Sequence, residues 1–278
     1  MKIAVCSGKG GTGKTFVSTN LAKVLFATYI DSDIEEPNGS FYFENLREVA
    51  TYPSYKAIPS FDLDKCIKCR TCVDFCHFNA LLFIKDKIKF FPELCHSCMG
   101  CKVLCKTGAI TESKERVGSI TIKTNEEDIA IVGQMEIGQR NGGAIVKELF
   151  TFTNNREDYV IDCPPGTGCE VGEIIQASNL ILVVTEPTLF GLENLKLIVS
   201  LIKLYKKPCF LVVNKENEKG YKPLEEFANA EGLKIVTKIP YSVKTAIANA
   251  KGYRTAELKP YFDLIKKEVA RYENPANN

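Results

Sequence analysis

The chain has 278 residues, 45% hydrophobic and 25% charged, the proportions of one large α/β domain or two smaller ones. Lys and Arg number 36 against 34 Asp and Glu, so the formal charge is only +2 and gives no basic footprint for nucleic acid or an anionic membrane. Apolar runs stay near six residues, far from the ~18 of a spanning helix. The N-terminus enters a strand directly instead of a signal peptide, so the expectation is a cytoplasmic protein.

In chain order, short apolar β-rich runs are predicted at Lys2–Cys6, Ala27–Ile30, Ile129–Val132, Tyr159–Asp162, Leu180–Thr185, Cys209–Asn214 and Leu233–Thr237. Amphipathic stretches fall between them at Thr15–Phe26, Gly142–Phe152, Asn194–Tyr205, Leu224–Ala230 and Glu257–Tyr272. Fully apolar strands alternating with helices predict a mostly parallel sheet covered on both faces. The last helix carries Leu258, Phe262, Ile265, Val269 and Tyr272 at helical spacing. Its polar face mixes Lys266, Lys267 and Arg271 with Asp263 and Glu268, which predicts a packed terminal helix over a membrane-binding one.

Gly8-Lys9-Gly10-Gly11-Thr12-Gly13-Lys14-Thr15 fits G-x-x-x-x-G-K-[ST] between a strand and a helix, the context a phosphate loop requires. Glycines let successive N–H groups turn around phosphate oxygens at a helix N-terminus. Lys14 is expected to reach the β/γ-phosphates and the Thr15 hydroxyl to hold Mg²⁺. Two strands end in carboxylates, at Asp31-Ser32-Asp33 and at Asp162, and Asp162 is placed to support the same Mg²⁺.

The α/β rhythm breaks between about Ser60 and Glu115, where Asp64–Leu81 repeats as Glu93–Ile110 at an offset of 29 residues. Eight of the twelve cysteines lie there, as Cys66-x-x-Cys69-x-x-Cys72-x-x-x-Cys76 and Cys95-x-x-Cys98-x-x-Cys101-x-x-x-Cys105. Clustered cysteines in a chain of this size point to metal, not to a disulfide framework. The doubled C-x₂-C-x₂-C-x₃-C run is the bacterial ferredoxin pattern, in which the fourth cysteine ligates the other cluster. It predicts two [4Fe–4S] clusters, one on Cys66, Cys69, Cys72 and Cys105, the other on Cys95, Cys98, Cys101 and Cys76. Structural zinc is the alternative for C-x-x-C pairs, and it explains two complete runs poorly. His77 and Lys106 replace the proline that usually follows the fourth cysteine, and His77 and His96 are expected to face solvent or back the ligands.

The chain resembles the MinD/ParA/Mrp group of deviant-Walker ATPases. KGGTGKT with the extra Lys9, DSDIEEPN at Asp31–Asn38 and DCPPG at Asp162–Gly166 carry the resemblance. So do VTEPTLFGLENLK at Val184–Lys196, VVNK at Val212–Lys215 and IPYS at Ile239–Ser242. It implies a SIMIBI-type phosphate-loop sheet, formed by residues 1–58 and 117–278, with an α+β ferredoxin-like module inserted at 59–116. It further implies a dimer, with itself or with a paralogue, that sandwiches two ATPs. Lys9 would reach the partner's nucleotide, Asp33 would position the attacking water, Asn38 would add a polar contact, and Asn214 and Pro240 would meet the adenine. ATPases with such an insert are often labelled cobyrinic acid a,c-diamide synthase. A glutamine-dependent amidase needs a Cys/His pair on a further domain, and both histidines here lie in the insert, so that activity is not expected.

Of the other cysteines, Cys6 and Cys209 lie in apolar strands as small hydrophobes. Cys163 is open to either reading. Cys169 sits where the related nitrogenase iron protein places a cluster-bridging cysteine, but Ile137–Ile145 lacks the second cysteine that arrangement needs, so a redox or partner-facing thiol is expected over a bridging cluster. None of these forms the C-x-x-C pair of Mrp-type carriers. The leading expectation is an ATPase that couples MgATP-dependent dimerisation or hydrolysis to electron transfer through two clusters, toward a partner protein or metallocofactor. The alternatives are a cluster assembly or transfer factor, and a nucleotide-dependent positioning switch whose clusters are structural or sensory.

Overall fold

The computed structural model describes residues 1–154, 156–217, 220–251 and 256–273. The elements run β1 (Lys2–Cys6), α1 (Lys14–Leu25), β2 (Thr28–Asp31), β3 (Arg47–Phe61), α2 (Thr71–Phe75), β4 (Leu81–Ile84), β5 (Lys87–Phe90), α3 (Gly100–Val103), β6 (Ile110–Thr124) and β7 (Ile129–Met135). The second half runs α4 (Gly143–Leu149), β8 (Tyr159–Asp162), α5 (Cys169–Ala177), β9 (Leu180–Thr185), α6 (Leu189–Leu204), β10 (Cys209–Glu216), α7 (Lys222–Ala230), β11 (Lys234–Pro240), α8 (Val243–Ala250) and α9 (Lys259–Glu273).

Nine strands form one sheet in the order β11-β10-β9-β1-β8-β2-β7-β6-β3. The seven from β11 to β7 are parallel, and β6 and β3 extend the edge antiparallel to their predecessors. Because side chains alternate along a strand, Ala4 and Cys6 of β1 face one core while Ile3 and Val5 face the other. The first core lies under α4, α5, α6 and α7, with Ile145, Ile174, Ile198 and Leu224 in it. The second lies under α1 and α9, where Val17 and Leu21 meet Phe262, Ile265 and Val269. The terminal helix is therefore packed, with the Phe16 ring edge-on to Phe262 at 6.1 Å. No described helix is long and apolar enough to cross a membrane. Helix α6 begins five residues before the expected Asn194, because the Thr188 hydroxyl caps it by accepting the Gly191 N–H at 2.9 Å.

The largest departure from the predicted elements is the β3–β6 pair, each strand 15 residues long. Only Gly118–Thr124 of β6 pairs with β7, so the remaining ladder, from Tyr55↔Arg116 to Phe61↔Ile110, projects beyond the sheet as a two-stranded arm. Pro53 and Pro59 fit β3 because it is the edge strand, where alternate N–H groups face away from the one neighbour and a proline can take such a position. Residues 59–61 and 110–116, expected inside the insert, belong to this ladder, and the lobe at its tip spans 62–109. The β4–β5 hairpin in that lobe turns on Lys85 and Asp86 at φ 46° and 60°, the positive values of a tight two-residue turn. Its small core of Cys72, Leu81 and Cys101 packs against Ile110 at the start of β6.

Candidate functional site

Parallel pairing of β2 with β8 sets Asp31 directly opposite Asp162 at the C-terminal ends of both strands, next to the loop that leaves β1. Gly11 and Gly13 of that loop hold φ of 78° and 89°, which side chains rarely adopt. A Cβ on Gly13 would lie 2.1 Å from the Asn214 amide nitrogen, so this glycine is also fixed by packing. Over Gly10 and Gly11 there is open space, and the Thr12 hydroxyl is buried without a hydrogen-bond partner among the described residues. An open loop of backbone donors with an unpartnered buried hydroxyl suits a phosphate group.

Lys14, the first residue of α1, is buried and donates to the Asp162 carboxylate at 2.7 Å. Burial works against its charge, and Asp162 overrides it to hold the amine above its ordinary value. Asp162 also accepts from the Tyr29 hydroxyl at 3.1 Å, and its carbonyl accepts from Ser32 Oγ at 2.6 Å. Asp31 accepts the Gly39 N–H at 2.8 Å and the Asp33 N–H at 3.3 Å, which ties the start of the segment after β2 to the strand end. Asp33 is half-buried, and with Gly142, Pro164, Gly168 and Glu170 it lines a cleft of about 280 Å³. Asn38 is exposed at the start of a short turn of helix.

Burial, reinforced by the Asp162 charge, pushes the Asp31 carboxyl from its ordinary 3.8 up to about 7. The unfolded chain releases this proton near 3.8 while the folded one holds it until about 7, so the contribution of this carboxyl to folding stability falls as pH rises between these values and is flat above them. In nucleotide-free protein the melting temperature is expected to drop over that window, and Asp31→Asn to remove this component, as read by thermal melts at stepped pH.

Lys9 lies back on its own chain, ion-paired to Glu186 and 4.8 Å from the Phe190 ring centroid. Lys215 approaches Glu186 at 3.4 Å and donates to the Gly11 carbonyl at 2.5 Å. Burial opposes the Glu186 charge, but the two ammonium groups hold its carboxyl below the ordinary range. Asn214, expected at the base, donates one amide hydrogen to the Thr12 carbonyl at 2.8 Å and so braces the phosphate loop from β10. Pro240 stands exposed at the end of the adjacent β11. Sequence reasoning missed Glu186 and Lys215, although both lie inside quoted motifs. The available signal was a carboxylate immediately after the fully apolar β9 run, in a phosphate-loop protein with an extra loop lysine.

The eight clustered cysteines line two cavities in the tip lobe. Cys66, Cys69, Cys72 and Cys105 wall one of about 180 Å³. Cys76, Cys95, Cys98 and Cys101 wall another of about 100 Å³. Each cavity takes three cysteines from one repeat and the fourth from the other. All eight thiols are free, and the surface both cavities expose is mostly apolar, with Asp62, Arg70 and Lys106 also lining the first, a donor set and setting that fit an iron–sulfur cluster in each. Among the described residues no three His, Cys, Asp or Glu side chains converge as one metal ion requires. Burial pushes the Cys101 thiol up to about 11, while the Thr71 hydroxyl, donating to Cys69, holds that thiol below its ordinary value. Burial also raises Cys95, against the Ser97 N–H and the Lys56 ammonium, which favour its thiolate. His77 and His96 are exposed, and His96 stacks on Phe78 with centroids 3.7 Å apart. Elsewhere, Cys169 is exposed at the start of α5, and Cys209 is half-buried. Cys6 and Cys163 are fully buried with their sulfurs 3.2 Å apart.

Known proteins share both the sequence and the fold. The uncharacterized protein MJ0579 of Methanocaldococcus jannaschii is 30% identical over 95% of this chain and 96% of its own length. The iron-sulfur cluster carrier protein of Pyrococcus furiosus is 25% identical over 96% of this chain and 85% of its own. Among solved structures, the septum site-determining protein MinD of Pyrococcus horikoshii, complexed with Mg-ADP, superposes with a TM-score of 0.61. It covers 98% of this chain and 97% of its own at 16% identity, a likeness of fold. Residues 3–255 match the family described as the CobQ/CobB/MinD/ParA nucleotide binding domain, and the chain belongs to that family.

Proposed function

We propose that the chain is a MgATP-dependent ATPase that governs electron transfer through two [4Fe–4S] clusters held in the lobe at residues 62–109. The observation that carries this reading is the pair of cavities, each walled by four cysteines and mounted on strands that continue into the sheet of the nucleotide site. Lys14 and the loop N–H groups bind the phosphates, and Thr15 and Asp162 hold Mg²⁺. Asp33 orients the attacking water from the cleft it lines. The eight thiolates hold the clusters in an apolar setting, and a bound [4Fe–4S] cluster takes up or gives back one electron. The electron acceptor is a partner protein or metallocofactor.

In the same reading two copies, or one copy and a paralogue, pair over their nucleotides, and Lys9 leaves Glu186 to reach the partner's γ-phosphate. Lys9→Ala is expected to slow phosphate release by about 10³-fold while the nucleotide still binds, as measured by turnover and by nucleotide titration.

The defining experiment is an anaerobic EPR redox titration with and without MgATP, alongside iron analysis. About eight irons per chain and a midpoint potential that moves with MgATP support the reading. Stable clusters whose potentials ignore nucleotide would leave ATP controlling only docking. A second reading, cluster transfer to other proteins, has in its favour the relatives named iron-sulfur cluster carrier proteins. It predicts clusters that leave the chain for an apo-ferredoxin on mixing.

A further inference from the structure

Lys56 is only 3% exposed and lies midway along β3, where the arm leaves the sheet. A buried ammonium is costly unless its partners are fixed, so the identity of those partners matters. It donates to the Pro92 carbonyl at 2.8 Å and to Gln139 Oε1 at 3.2 Å, and it lies 3.4 Å from the Glu115 carboxylate across the ladder. Gln139 closes the network by donating to the other Glu115 oxygen at 3.3 Å.

The network joins two places the sequence keeps apart. On one side, the Pro92 carbonyl also accepts the Cys95 N–H at 3.1 Å, so Lys56 shares an acceptor with a cysteine of the second cavity. On the other, Gln139 belongs to the 136–142 loop, which runs along the segment that follows Asp33. The Ile34 carbonyl accepts the Met135 N–H at 2.8 Å, and a Cβ on Gly142 would meet the Ile34 side chain at 1.7 Å. Gly142 also lines the cleft that contains Asp33. A displacement of Asp33–Ile34 therefore presses directly on the loop that holds Gln139. Among the described residues, none that lines the first cavity makes a hydrogen bond or ion pair to the 136–142 loop.

We propose that Lys56 is the positioning residue through which the nucleotide site acts on the second cysteine cavity, that of Cys76, Cys95, Cys98 and Cys101, and not on the first. This inference rests on the functional reading above and assigns the route of its coupling. Contiguity alone does not establish coupling, so the test uses variants that separate the ammonium's charge from its link to the loop.

Gln139→Ala keeps the charge beside Cys95 and cuts the link to the loop. Lys56→Met removes both, and Lys56→Arg restores the charge. Each protein is titrated anaerobically with and without MgATP, and amide hydrogen exchange across residues 92–99 is followed in parallel. In wild type, MgATP is expected to shift the potential of one cluster and to slow exchange at 92–99. Gln139→Ala loses both responses but keeps the resting potential. Lys56→Met loses both and also lowers that cluster's resting potential, because a nearby cation favours the reduced, more negative form. Lys56→Arg recovers the resting potential. Iron content and ATP turnover stay as in wild type throughout. The affected cluster is identified in a Cys66→Ala background. A nucleotide response that survives Gln139→Ala, or a Lys56→Met effect on the first cluster, overturns the Lys56 route alone. A wild-type protein whose potentials and 92–99 exchange both ignore MgATP overturns nucleotide control of the clusters itself, and the Lys56 route with it, and leaves ATP controlling only docking.

Discussion

Lys14→Ala is expected to abolish ATP turnover, lower the melting temperature of the nucleotide-free protein, and leave the iron content unchanged. The stability loss follows from what the lysine leaves behind. Asp162 is 1% exposed, faces Asp31 across the parallel register, and has Lys14 as its ion-pair partner at 2.7 Å. Removing one member of such a buried pair strands the other charge, at a cost of about 3–5 kcal/mol. Replacing both partners, as in Lys14→Met with Asp162→Asn, is expected to recover most of that stability and none of the turnover, because no uncompensated charge remains. Differential scanning calorimetry, phosphate release and iron analysis on the same samples separate these effects. Iron that disappeared with Lys14 would contradict a lobe that holds its clusters independently of the phosphate site.

The second large effect concerns the pairing of the repeats. Cys66→Ala and Cys105→Ala lie 39 positions apart, yet they line the same cavity and should each cost the same cluster. The double variant Cys66→Ala/Cys105→Ala is then expected to keep about four irons, whereas Cys66→Ala/Cys76→Ala keeps close to none. If each repeat instead served its own cluster, Cys66→Ala/Cys76→Ala would keep about four and Cys66→Ala/Cys105→Ala would lose all. Anaerobic iron and sulfide analysis with EPR spin counting decides between the two. Because the lobe's core is small and includes Cys72 and Cys101 themselves, loss of a cluster should also loosen the tip, while helices α1 and α9 remain protected from hydrogen exchange.

Much of this was legible in the chain because its signals are local. The glycine spacing of the phosphate loop, the strand-end Asp31 and Asp162, and the apolar runs of β1, β8 and β9 each state their structure within a few residues. The two cysteine runs do the same, since three thiols at x-x spacing bend round one body and leave the fourth elsewhere. The β3–β6 arm was not legible. Its β6 half is polar at every position from Thr111 to Arg116, so the alternation that normally marks a strand is missing, and its two halves meet only across the 48-residue lobe between them. Helix α5 was hidden for a related reason, because the glycines and prolines of the turn after Asp162 mask where it begins.

The phosphate loop, the parallel strands around it and the two cysteine runs are thus written in local pattern, because backbone geometry and thiol spacing are short-range properties. Which polar groups face one another emerges only from the assembled fold. Parallel register places Asp31 against Asp162, the end of β10 braces Thr12 through Asn214, Glu186 receives Lys9, and the arm buries Lys56 between Pro92 and Gln139. Each of these contacts joins segments far apart in the chain, and strand order and register, which no local pattern encodes, determine which of them meet.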